Sequence, residues 1–107
     1  MGKKGDKMTP DSVDAASVLL DLLAPIGGIS SKKMFGGHGI FKDGKMFGMV
    51  DSSGRYFLKA GDANRAMFEA AGADKHGRMP YFAIPQEVLE DHAQLLEWAR
   101  SAIATTR

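Results

Sequence analysis

Three histidines, His38, His76 and His92, are the side chains best suited to hold a metal or move a proton near neutral pH. No two of them stand in H-x-x-x-H or H-E-x-x-H spacing, so no helix face presents a ligand pair. Cysteine is absent, which removes disulfides, thiolate nucleophiles and cysteine-based zinc or iron–sulfur centres. Ser30, Ser31, Ser52 and Ser53 fall in strand or turn contexts without the G-x-S-x-G elbow that exposes a nucleophile. Tyr56 and Tyr81 read as half-buried strand residues with solvent-facing hydroxyls. Glu87, Glu90 and Asp91 cluster where a helix begins and complement its dipole. The sequence therefore names no catalytic residue, no metal ligand and no cofactor-binding residue, and the expectation is a protein that is not an enzyme.

The other chemically suggestive stretch runs from Met34 to Phe47, with Gly36, Gly37, Gly39 and Gly44 interleaved with His38 and aromatic residues. A P-loop needs Gly-Lys-Ser/Thr, but Gly44-Lys45 is followed by Met46. A dinucleotide fingerprint fails because Lys42 stands where its third glycine belongs and a strand follows instead of a helix. The glycines read instead as a sharp corner or bulge that needs positive φ. His38 is expected in that loop, bonded to local backbone. A small-ligand site at the Gly36–Gly39 corner is the alternative.

The elements that must position these residues follow from periodicity. Val13, Ala16, Leu19, Leu20 and Leu23 recur at helical spacing and predict a helix over about 10–24, ended by Pro25 and Gly27-Gly28. Asp43-Gly44 and Ser52-Ser53-Gly54 punctuate an antiparallel meander with strands at 30–35, 39–42, 45–51 and 55–60. In the third strand both alternating sets are apolar, which predicts a central strand covered on both faces, and Gly48 within it implies a close neighbour or bulge. A helix capped by Asp62 should bury Ala63, Ala66, Met67 and Ala70. A strand over 78–84, demoted by Pro80, and a last helix over about 91–105 complete the chain. The order is α-β-β-β(-β)-α-β-α, an α+β fold with an antiparallel sheet and helices packed on it.

With 107 residues the chain is expected to form one domain, residues 10–107, behind a loose tail of residues 1–9. No apolar run approaches the roughly 20 residues of a membrane span, and no signal peptide opens the chain, so a cytoplasmic location is expected. The net charge is +1, but residues 29–60 set six basic side chains against Asp43 and Asp51. Solvated lysines that guard sheet edges explain this surplus. Lys32, Lys33, Lys42, Lys45 and Arg55 near Phe35, Phe41, Phe47 and Tyr56 keep a nucleic-acid-binding module open as an alternative. Seven methionines fill core gaps or serve adaptable protein contacts, so a protein partner or a homodimer is expected.

The segment Lys33-Met34-Phe35-Gly36-Gly37-His38-Gly39-Ile40-Phe41-Lys42-Asp43-Gly44-Lys45-Met46-Phe47 resembles the opening block of the TfoX/Sxy amino-terminal domain family. Tyr56-Phe57-Leu58-Lys59-Ala60 is similar to its next strand. Met79 to Pro85, with Tyr81, is similar to its final strand, and Leu96 to Ala102, with Trp98, to its last helix. The resemblance implies a small α+β domain tied to regulators of natural competence, which promote transcription of DNA-uptake genes in bacteria. Those regulators carry a second, carboxy-terminal domain, whereas a stand-alone domain is expected here. The resemblance supplies no catalytic residue. It marks Met34, Phe35, Gly36, Gly37, His38, Gly39, Lys42, Lys45, Tyr56, Lys59, Tyr81 and Trp98 as family-motif positions and candidates for interaction, with transcription machinery as a conceivable partner.

Overall fold

A computed structural model of the chain describes residues 8–34 and 36–106, and their side chains from residue 14 on. Helix α1, Met8–Leu23, begins two residues ahead of the expected start, and a single 3-10 turn, Ala24–Ile26, follows it. The expected tail thus lies outside the described residues except for Met8 and Thr9, which open α1. Gly27 and Gly28 take positive φ and turn the chain into the sheet. The strands are β1 (Ile29–Met34), β2 (Gly37–Lys42), β3 (Lys45–Val50), β4 (Tyr56–Lys59) and β5 (Tyr81–Ala83). Helices α2 (Arg65–Ala70), α3 (Gln86–Leu89) and α4 (His92–Ala104) complete an α+β fold.

The sheet runs β1-β2-β3-β4-β5, every neighbour antiparallel, so β3 is central as its two-sided pattern requires. Asp43 (φ 51°) and Gly44 (φ 87°) form the tight turn between β2 and β3, the two-residue connection whose twist matches a hairpin. A bulge sits between Ile40 and Phe41, where Phe47 opposes no single residue of β2. Beside it, a β-carbon on Gly48 would stand 3.1 Å from the Phe57 carbonyl oxygen, which is the close neighbour this glycine implied.

Alternation divides the sheet into two faces. Ile40, Gly48, Leu58 and Phe82 form one cross-strand row, covered by Leu19 and Leu23 of α1 and by Leu95, Trp98 and Ala102 of α4. Phe68 of α2 stacks on Phe82 at 5.3 Å and meets Trp98 edge-on at 5.0 Å. All four helices contribute to this core. The opposite row runs Gly39, Met49, Phe57 and Ala83, and its last three members join Tyr81 and Met46 in a second cluster built from strand residues alone.

Two expectations are corrected here. Helix α2 starts after Asn64, not Asp62, and buries Phe68 while Ala63, Ala66 and Ala70 lie exposed. The reason is Asn64, which is 1% exposed and accepts from the Gly61 N–H while donating to the Lys59 carbonyl and Ser101 Oγ. It locks the β4–α2 corner and sets the phase of the helix that follows. The last expected strand shrinks to Tyr81–Ala83 because Pro80 has no N–H to give; its carbonyl instead accepts from the Ala60 N–H at 2.8 Å.

Candidate functional site

The helix-free face carries a cavity of about 270 Å³ at the end where β1, β2 and β3 meet the loop after α2. Its lining comes from Met34, Gly37, Met46, Met49, Asp51, His76 and Met79. Of the methionines whose side chains are described, only Met67 belongs to the helix-side core instead. The sheet thus sorts its flexible thioethers onto one side and its aliphatic core onto the other.

Missing side chains make room for them. Met34 reaches over Gly39, its Sδ lying 3.1 Å from where a β-carbon would stand. At Gly37 a β-carbon would collide with the Val50 carbonyl oxygen. Neither glycine has positive φ; that conformation belongs to Gly36 (φ 79°) at the turn itself. The run therefore needs Gly37 and Gly39 for close approach, a correction to the expectation that backbone conformation alone demands them.

The far wall is a folded-back loop. Ala83 N–H donates to the Asp74 carbonyl and His76 N–H to the Tyr81 carbonyl, so residues 74–76 pair along β5. This brings the His76 ring edge-on to Phe57 at 4.7 Å. Arg55 lies over the same ring at 5.6 Å and pairs with Asp74 at 2.8 Å. Burial pushes the Asp51 carboxyl up, but hydrogen bonds from the Arg55 N–H and from the Ser53 hydroxyl and N–H, with the nearby His76, outweigh it. The carboxyl is held below its ordinary 3.8. Asp51 is therefore an anion at the cavity rim at neutral pH.

Among the described residues no three His, Cys, Asp or Glu side chains gather as a metal site. No described helix is long and apolar enough to cross a membrane. The model of the TfoX N-terminal domain matches residues 21–106. The chain belongs to the TfoX N-terminal domain family. No curated protein matches it.

In this TfoX N-terminal domain the motif positions do not converge on one point. Met34, Gly37 and His38 border the cavity, Gly39 lies under Met34, and Gly36 is exposed at the turn. Phe35 lies outside the described residues. His38 is in β2, not in a loop, and among the described residues its buried Nδ1 has no hydrogen-bond partner, contrary to the expected backbone bond. It pairs with the core residue Val50, which by alternation places it on the helix-side row of β2. Lys42 donates to the Gly27 carbonyl at 2.8 Å and sits 3.4 Å from Asp43. Lys45 is exposed at the opposite end of the hairpin, beside Lys42 and Ile103. Tyr56 faces the helix side and lines a more open hollow of about 500 Å³ with Arg55, Asp74 and Glu87. Lys59 pairs with Tyr81 on the cavity face. Tyr81 is 6% exposed, so it is buried rather than half-buried, and Trp98 is a core residue of α4.

Sequence reasoning did not find His76, Asp51 and Met79 as neighbours of the glycine run. Their signal was the unusual methionine content, which gave chemistry but no location.

Proposed function

We propose that the chain is a regulatory domain of the competence-regulator type that acts in the cytoplasm through contact with another protein, without catalysing a reaction. Membership of the TfoX N-terminal domain family carries the reading. The sheet face without helices supports it, since over a buried cluster of Met49, Phe57, Tyr81 and Ala83 it presents the half-buried Met34 and Met46 and the exposed Met79, side chains that adapt to a protein surface. Such a surface suits a protein contact better than a nucleic acid. Phe47 and Phe57 are buried and offer no stacking platform, while Lys42 and Arg55 are already engaged within the chain.

Deleting the gene and restoring it in the host tests the reading. Transcripts of DNA-uptake genes should fall on deletion and recover with the wild-type copy. Unchanged transcripts would count against the reading, and so would a turnover measured with the purified protein.

A further inference from the structure

The regulatory reading does not use the interior of the methionine-lined cavity. Its volume of about 270 Å³ exceeds the roughly 150 Å³ in which an engineered apolar cavity holds benzene. It is also far too roomy for a bare ion, whose sulfur ligands must close to about 2.3 Å. A molecule of one or two fused rings is the right size.

The walls narrow the chemistry. Met34, Met46, Met49 and Met79 present thioethers, which make favourable contacts with aromatic rings and adapt in shape to them. Gly37 contributes main chain to the wall, packed directly against the backbone of Val50 and Asp51. The rim is asymmetric. Asp51 Oδ1 is saturated by Ser53 and Arg55, whereas Oδ2 has no partner among the described residues. A ligand that brings an N–H or O–H donor to that edge gains a charge-assisted hydrogen bond. His76, fixed against Phe57, adds a further wall near Asp51.

We propose that this cavity is a binding site for a small planar aromatic molecule carrying one hydrogen-bond donor. The inference rests on the cavity alone and stands or falls independently of the regulatory reading.

The test uses the full chain with carbon-13 labelled methionine methyl groups, titrated with indole as the probe. The methyl signals of Met34, Met46, Met49 and Met79 should shift saturably, while that of Met67, on the other face, stays in place. 1-Methylindole, which lacks the donor, should bind about tenfold more weakly, as expected for losing one hydrogen bond to a charged group. Signals that do not move at millimolar indole would overturn the proposal. So would equal shifts at Met67, which mean non-specific association, or shifts with silver(I) but none with indole, which mean a soft-cation site. Equal affinity for indole and 1-methylindole would remove the donor from the proposal and, with it, the role of Asp51.

Discussion

Gly37 and Gly44 are glycines for different reasons, and their alanine variants should fail differently. At Gly37 the added carbon meets the rigid Val50 carbonyl oxygen, so backbone must move. Gly37→Ala should cost about 1–3 kcal/mol and disturb the β2–β3 end that borders the cavity. Gly44 has open space but φ 87°, so Gly44→Ala should cost about 1–2 kcal/mol and leave the cavity unchanged. Chemical denaturation measures the cost, and methyl spectra of Met49 separate the two cases. Asp51 gives a second residue-scale prediction. Its folded value lies below the ordinary 3.8, so its contribution to stability is full above that value and is lost as pH falls through the folded value. Melting of wild type and Asp51→Asn between pH 7 and pH 2 should show the variant less stable at neutral pH and the two curves converging in acid. Tyr56 and Tyr81 act at the other end: burial raises both phenols above 10.0, so stability is full below that value and falls as pH rises beyond it.

Among elements, the hairpins and α4 were legible in the sequence because each carries a local physical cause. Asp43-Gly44 supplies the two positive φ values that a tight hairpin turn needs, and Asp91 caps α4 by accepting from the Gln94 N–H at 3.1 Å. Helix α2 was misread because its start is fixed by tertiary bonds of Asn64 to Gly61, Lys59 and Ser101, which no local pattern announces. Its one buried aromatic carries the packing. Phe68→Ala should destabilise the chain by about 3–5 kcal/mol, since it removes a ring wedged between Phe82 and Trp98. Asn64→Ala should cost about 1–3 kcal/mol by orphaning buried backbone groups. Equilibrium unfolding of both variants checks the ranking; a Phe68→Ala loss below that of Asn64→Ala would contradict it.

At the scale of the whole molecule, the sheet has two unlike faces. One is sealed by four helices and holds the fold together; the other, among the described residues, is covered by its own methionines and the 74–79 loop. The family was readable in four sequence blocks because those blocks are the turns, strands and last helix that build the sheet. The cavity was readable only as a ligand site at the Gly36–Gly39 corner; its far wall was not, because Met34, Met46 and Met49 come from the hairpins while His76 and Met79 arrive from beyond α2. Only the pairing of residues 74–76 along β5 brings the two groups together. A domain that acts through protein contact must use the helix-free face, where the methionines lie. Met79 is 37% exposed on that face, so Met79→Glu should keep the fold, as a melting curve verifies. The decisive measurement is transcript abundance of DNA-uptake genes in cells whose only copy is Met79→Glu, with Glu97→Lys, at an exposed position of α4, as the control. Transcripts should be lost with Met79→Glu and stay at wild-type levels with Glu97→Lys; wild-type levels with a folded Met79→Glu protein would rule out the helix-free face as the contact surface.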